Sequence, residues 1–285
     1  MKLYAPSTIR DIKDKYGFKL SKSLGQNFLT DKNIIDKIID ETEITDEDIV
    51  IEIGPGIGVL TAEACERAKK VVAVEIDKNL IPILKDTLSE YSNVEVINQD
   101  VLKTDLNEII DKSGCKGAKI IGNLPYYITT PIIMALLEGG VHVDSITIMM
   151  QKEVADRIKS GPGTKAYGAL SVAVQYYCTV NNVATVPKEV FFPAPKVDSA
   201  VLRLDLREEK PVELIDEKMF FRCVKAGFGQ RRKTLSNSLL GIGDVTKEEV
   251  KLCLEETGIE EKRRAETLSL DEFAAISNWF SKRVR

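Results

Sequence analysis

Between Ile49 and Leu206 the chain alternates short β-branched apolar runs with helical patterns, and few architectures accommodate that alternation. The runs are Ile49 to Ile53, Val71 to Ile76, Val94 to Asn98, Lys119 to Ile121, Ser145 to Met150, Asn182 to Val186 and Ala200 to Leu206. Strands separated by helices pair in parallel, so the first five runs predict a sheet covered by helices on both faces. The last two have no helix between them. The proline-rich stretch Pro187 to Asp198 joins them, which predicts an antiparallel hairpin at the sheet edge. After Arg207 only helical patterns remain. Thr246-Lys-Glu-Glu249 and Ser269-Leu-Asp-Glu272 have the spacing at which a hydroxyl and a carboxylate each satisfy the other residue's backbone N–H at a helix start. A small helical domain is therefore expected over 211–285. Upstream of the sheet, Ile34, Ile35, Ile38 and Ile39 share one face of an amphipathic helix over 31–42.

A chain of 285 residues with 44% hydrophobic content can bury the core of one large domain with a smaller companion. Its five cysteines contain no Cys-x-x-Cys pair, which argues against a zinc site and a disulfide framework and fits a reducing cytoplasm. No apolar run approaches the roughly 18 residues of a membrane span, and Met1 to Gly17 carries charges rather than an export signal. The net charge of -4 weighs against a nucleic-acid partner, but basic residues are concentrated locally. Residues 1–30 hold Lys2, Arg10, Lys13, Lys15, Lys19 and Lys22 against Asp11 and Asp14. Residues 221–241 hold Arg222, Lys225, Arg231, Arg232 and Lys233 with no acid. Either patch is a candidate phosphate-facing surface or a solvated helix face.

At the end of the first run, Gly54-Pro-Gly-Ile-Gly58 makes a turn without side chains, which lets the backbone approach a ligand. The dinucleotide fingerprint needs a third small residue where this chain has Val59, which disfavours a nicotinamide cofactor. The second run leads into Val74-Glu-Ile-Asp77, where Glu75 can accept both ribose hydroxyl hydrogens of a nucleoside. The third leads into Asn98-Gln-Asp-Val101. There Asp100 can accept from an adenine amino group while Ile76 and Val101 sandwich the ring. All three turns belong to the carboxyl edge of the sheet, where open α/β folds bind ligands.

The fourth run ends in Asn123-Leu-Pro-Tyr126. An adenine amino nitrogen is a poor nucleophile because its lone pair is delocalised into the ring. Two acceptors that bind both its hydrogens favour a more tetrahedral nitrogen, and Asn123 Oδ1 with the Leu124 carbonyl can supply them. Pro125 stiffens the turn, and Tyr126 offers a face for a base to stack on. His142, the only histidine, falls in a loop pattern, which disfavours histidine-dependent acid or base chemistry.

With these motifs, the segments Ser23-Leu-Gly-Gln-Asn-Phe-Leu29, Met150-Gln-Lys-Glu-Val154, Lys165 to Ser171, Phe191 to Ser199 and Phe228 to Leu235 make the chain resemble, over almost its whole length, the bacterial small-subunit ribosomal RNA adenine N6,N6-dimethyltransferases. The resemblance implies an α/β fold: a seven-stranded Rossmann-like methyltransferase sheet with a small C-terminal all-helical domain. Residues 1–22 would form a basic N-terminal extension, 23–207 the methyltransferase domain and 211–285 a helical RNA-recognition domain. It implies S-adenosylmethionine as methyl donor and S-adenosylhomocysteine as product. The substrate implied is two adjacent adenines in the 3'-terminal hairpin loop of small-subunit rRNA, modified in an immature 30S particle by a cytoplasmic protein that is monomeric off the ribosome. Gln26, Asn27 and Leu29 would close over a donor held by Gly54, Gly56, Glu75, Ile76, Asp100, Val101 and Asn123. Phe191 would stack on the target adenine opposite Tyr126, and Lys22, Arg222, Arg231, Arg232 and Lys233 would contact RNA. No metal or membrane enters this reading. Tyr127 and Pro193-Ala-Pro195 vary the family pattern without touching its chemistry. A sister group that modifies large-subunit RNA usually carries Asn-Ile-Pro-Tyr at the reaction centre; Leu124 and Phe228 to Leu235 favour the small-subunit enzymes. Intact donor motifs argue against an RNA-binding factor without catalysis.

Overall fold

A computed structural model describes residues 2–18, 21 and 25–283. Helix α1 (Pro6–Tyr16) and the two-residue strand β1 (Phe28–Leu29) precede α2 (Lys32–Glu41). Strands and helices then alternate: β2 (Ile49–Ile53), α3 (Val59–Cys65), β3 (Lys70–Glu75), α4 (Ile81–Thr87), β4 (Val94–Asn98), α5 (Leu106–Ser113), β5 (Ala118–Asn123), α6 (Thr129–Glu138) and β6 (Val143–Gln151). Helices α7 (Lys152–Lys159) and α8 (Ala169–Tyr177) lead to β7 (Cys178–Val186), the short β8 (Phe191–Phe192) and β9 (Ser199–Leu206). The chain closes with α9 (Glu217–Gly229), α10 (Leu235–Ser238), α11 (Lys247–Glu256) and α12 (Leu270–Arg283).

The apolar runs become one seven-stranded sheet in the order β4-β3-β2-β5-β6-β9-β7. β4, β3, β2, β5 and β6 pair in parallel and β9 runs antiparallel to β6, as the alternation predicts. All five residues of β2 are buried, because helices cover both faces of a parallel strand. Strand order reverses at β2 and β5. The loops leaving these two strands therefore diverge and open a crevice at the carboxyl edge.

Two features depart from the sequence reading. Pro187 to Asp198 is not wholly loop: β8 pairs antiparallel with β1, Phe28 opposite Phe192 and Leu29 opposite Phe191, in a ribbon separate from the main sheet. Thr30 extends the pairing by donating its N–H to the Val190 carbonyl at 2.8 Å. The N-terminal stretch, expected only as a basic extension, contains α1, whose Ile9 and Ile12 join Leu3 and Phe18 in the core cluster that includes α2 and α3. Its Lys15 faces outward and pairs with Asp86 at 2.7 Å.

The chain divides into two compact units, 1–155 with 180–206 and 156–179 with 207–285. A boundary at 207 leaves 156–179 with the sheet; in the structure this segment groups with the C-terminal helices. The physical reason lies on α8, where the hydroxyls of Tyr176 and Tyr177 donate to the two carboxylate oxygens of Glu217 on α9. The Tyr177 and Phe221 rings stack with centroids 5.6 Å apart and planes 12° from parallel. Both expected helix starts carry reciprocal caps. Thr246 N donates to Glu249 Oε2 at 2.7 Å, and Ser269 N donates to Glu272 Oε2 at 2.9 Å. In return the Glu249 and Glu272 backbone N–H groups donate to the two hydroxyls.

Candidate functional site

The crevice at the carboxyl edge is a cleft of about 980 Å³ including its mouth, within the range of small-molecule sites. The turn after β2 forms its floor with Gly54 at φ 69° and Gly56 at φ 62°. These are left-handed values that favour glycine. At Gly56 a Cβ would also stand 2.9 Å from the Phe28 ring, so the missing side chain lets β1 lie against the turn.

Glu75 ends β3 almost fully buried in the cleft wall, accepting from the backbone N–H groups of Asp77 at 2.8 Å and Gly56 at 3.3 Å. Burial pushes its carboxyl up to about 7, against the lowering effect of these two bonds. Ile76 beside it leaves 54% of its surface open, an apolar face on the cleft at a strand end. Val101 lines the same cleft. Asp100 uses Oδ1 to accept from Leu102 N at 3.1 Å, which fixes the carboxylate at the start of a short turn and leaves Oδ2 for other donors.

Over these groups runs the segment from Gly25 to Leu29. Gln26 Nε2 donates to Asp77 Oδ2 at 2.8 Å, its Oε1 accepts from Ser21 N at 2.7 Å, and Asn27 Nδ2 donates to the Gly25 carbonyl. Asn123, at the end of β5, donates through Nδ2 to the Asn27 carbonyl at 2.9 Å. That bond sets the orientation of the Asn123 amide and leaves Oδ1 as an acceptor on the cleft. The Leu124 side chain is buried and its N–H donates to the Met149 carbonyl, while its own carbonyl accepts nothing from the described residues. The Pro125 carbonyl closes the turn by accepting from Ile128 N and Thr129 Oγ1, both at 3.1 Å.

Of the residues singled out from sequence, the cleft gathers Gln26, Asn27, Leu29, Gly54, Gly56, Glu75, Ile76, Asp100, Val101, Asn123 and Pro125. Leu124, Tyr126 and Phe191 stand outside its lining. Tyr126 is half-buried, hydrogen-bonds Ser199 Oγ through its hydroxyl at 2.9 Å, and has its pKa raised by burial. Phe191 occupies another place than the resemblance implied. It is 5% exposed in the core cluster, its backbone paired with Leu29, so its ring is not open to a stacking base here.

The sequence reading passed over three residues. Tyr127, taken as a variation, is 61% exposed and lines the cleft. Asp77, quoted in its motif without a role, anchors Gln26. Glu52, also within a quoted motif, is buried in the lining of the same cleft as Glu75 and accepts from the Thr61 hydroxyl. Burial, with repulsion from Glu75, pushes its carboxyl up to about 8. An acid inside an apolar strand run was the signal available for Glu52.

The basic residues split into two kinds. Arg222 Nη2 donates to the Ile242 carbonyl at 2.8 Å, and Arg231 Nη2 donates to the carbonyls of Lys165 at 2.8 Å and Tyr167 at 3.1 Å, so both hold backbone. Arg232 and Lys233 are exposed. Lys22 lies outside the described residues, as do Ser23 and Leu24 of the matching segment. Among the described residues, no group of three or more His, Cys, Asp and Glu side chains is placed to hold a metal, and no helix is long and apolar enough to cross a membrane.

Residues 17–282 match the family model described as ribosomal RNA adenine dimethylase. The chain is 54% identical to ribosomal RNA small subunit methyltransferase A of Clostridioides difficile (strain 630), over 99% of this chain and 98% of that one. It is 55% identical to the protein of the same name from Alkaliphilus metalliredigens (strain QYMF), with 97% of each covered. Among solved structures it is similar to a dimethyladenosine transferase from Plasmodium falciparum, with TM-score 0.74, 28% identity and 87% and 95% coverage. It is also similar to the 23S rRNA methyltransferase ErmE, with TM-score 0.68, 28% identity and 88% and 98% coverage.

Proposed function

Because the chain belongs to the ribosomal RNA adenine dimethylase family, we propose that it transfers methyl groups from S-adenosylmethionine to N6 of two adjacent adenines in the 3'-terminal hairpin loop of small-subunit (16S) rRNA. The product is N6,N6-dimethyladenosine, made on an immature 30S particle during late biogenesis in the cytoplasm, by a chain that is monomeric off the ribosome. Relatives above 50% identity are named for the small subunit, whereas the neighbour named for 23S rRNA stands at 28%; this difference supports the small-subunit substrate.

The cleft fits the donor. Glu75 offers a carboxylate to a ribose diol, Asp100 keeps an oxygen for an adenine amine, and Ile76 with Val101 gives apolar contact to the ring. Gln26, Asn27 and Leu29 cover it, and Gly54 and Gly56 let the backbone come close. When bound, S-adenosylmethionine supplies a methyl group already activated as a sulfonium, so the protein must align and orient more than deprotonate.

The observation that carries the catalytic reading is the hydrogen bond from Asn123 Nδ2 to the Asn27 carbonyl. It turns Oδ1 toward the cleft, where it accepts one hydrogen of the target amine while the Leu124 carbonyl accepts the other. With its lone pair drawn out of the ring, the nitrogen would attack the donor's methyl group as the S–C bond breaks and S-adenosylhomocysteine leaves, and the methylated amine would then give its proton to water. Tyr126, tied to Ser199, flanks this turn as the stacking face. Arg232 and Lys233 of the helical unit contact RNA phosphates, and that unit serves recognition.

Incubation of purified immature small subunits and of large subunits with enzyme and methyl-labelled donor, followed by primer extension, tests the reading. Label on two adjacent adenines of the small-subunit hairpin loop is the expected result. Label confined to the large subunit would refute it.

A further inference from the structure

A second cleft opens on the sheet unit, walled by Gln151, Lys152, Lys188, Lys196 and Asp198. Three chain segments meet there through one residue. Lys152 N donates to the Asp198 carbonyl at 3.0 Å, and Lys188 N donates to Asp198 Oδ1 at 3.1 Å. Lys196 lies two positions before that staple. The Lys188 and Lys196 side chains are exposed. Even with Glu153 and Asp198 in the wall, lysines outnumber acids.

The cleft borders the reaction centre. Gln151 at the end of β6 is paired with Ser199, whose hydroxyl bonds Tyr126, and Asn123 on β5 is paired with Met149, two residues before Gln151. β6 and β9 therefore place Gln151 and Ser199 one and two strand spacings across and two residues along from Asn123, roughly 8 and 12 Å away. A flanking phosphate of a nucleotide whose base sits at Asn123 reaches that distance. Lysine suits such a contact as a compact, strongly hydrated point charge that holds phosphate without reading sequence.

We propose that this cleft is a subsite for an RNA backbone phosphate flanking the target base, held by Lys188 and Lys196 with Lys152 at its rim. It rests on the RNA-modifying role assigned above. The subsite positions the substrate strand after the base has left its stack, whereas Arg232 and Lys233 act from the helical unit.

The test compares wild type, Lys188→Ala/Lys196→Ala and Lys188→Arg/Lys196→Arg on immature small subunits across a salt series, with donor affinity measured in parallel. Each single-strand phosphate contact contributes about 0.7 to the slope of log affinity against log salt, so loss of the one phosphate that the two lysines share lowers that slope by about 0.7. KM for the particle rises about tenfold near physiological salt, kcat and donor affinity stay within about twofold, and the arginine pair restores KM. An unchanged slope and KM overturns the proposal. So does equal loss in the alanine and arginine pairs, which makes the lysines structural. Wild-type labelling of small subunits checks the underlying reading separately, since its failure affects all three proteins alike.

Discussion

Replacing Glu52 by glutamine perturbs the most deeply buried acid in the sheet unit. Glu52 is 2% exposed, faces the negative charge of Glu75, and has Thr61 as its hydrogen-bond donor. Its carboxyl is held at about 8 in the fold against 4.5 as the ordinary value. The folded chain thus keeps a proton that the unfolded chain releases near pH 4.5. Below that pH both states bind the proton and the fold has its full stability from this group. As pH rises toward 8 stability falls by about 1.4 kcal/mol per pH unit, roughly 5 kcal/mol in all. Glutamine is neutral throughout and keeps an oxygen for the Thr61 hydroxyl, so the loss disappears. The variant should match wild type near pH 4.5 and exceed it by several kcal/mol at pH 8. Glu75 adds a slope of the same size up to about pH 7 in both proteins, so it cancels in the comparison. The single tryptophan, Trp279, belongs to the helical unit, so its fluorescence does not report on the sheet. Hydrogen exchange of the β2 amides in urea, without donor, is the suitable assay. Parallel stability curves for variant and wild type from pH 4.5 to 8 would refute the burial argument.

Asn123→Ala should lower kcat by about 100-fold or more through loss of a preorganised acceptor. The lost bond to the Asn27 carbonyl, worth about 1 kcal/mol, should weaken donor binding by less than about tenfold in calorimetry. Glu75→Gln should weaken donor binding by about 10- to 100-fold with kcat at saturation changed less, because two charge-assisted bonds to the ribose diol are lost. In wild type, donor affinity should fall as pH drops below about 7, since protonation of the raised Glu75 carboxyl puts a hydrogen where the diol needs an acceptor; titration calorimetry from pH 5.5 to 8 reads this. Arg232→Ala with Lys233→Ala should flatten the salt dependence of RNA binding while leaving thermal unfolding unchanged. Arg231→Ala should also lower the unfolding temperature of the helical unit, because its guanidinium holds the Lys165 and Tyr167 carbonyls.

Much of the site was legible because it is local. A glycine turn after one strand and acids after the next two lie within a few residues of strand ends that β-branched runs mark, and a parallel sheet brings those ends to one edge. Asp77 and Glu52 were legible as letters but not as roles. The role of Asp77 depends on Gln26, 51 residues away, and Glu52 is functionally silent until its burial near the Glu75 charge is known. Arg222 and Arg231 read as free charges, yet both are held by backbone carbonyls remote in sequence. The ribbon of β1 and β8 escaped notice because two residues carry no periodicity.

The sequence by itself determined the alternating α/β sheet, its seven strands, the donor-type turn and the helical C-terminal segment, since periodicity and turn chemistry record which face of each local element is buried. Tertiary structure alone decided how the Asn123 amide is turned, that Phe191 lies in the core, that 156–179 groups with the C-terminal helices, and that three lysines meet around Asp198. Each of these depends on hydrogen bonds or packing between residues distant along the chain, and no local pattern encodes where such partners meet.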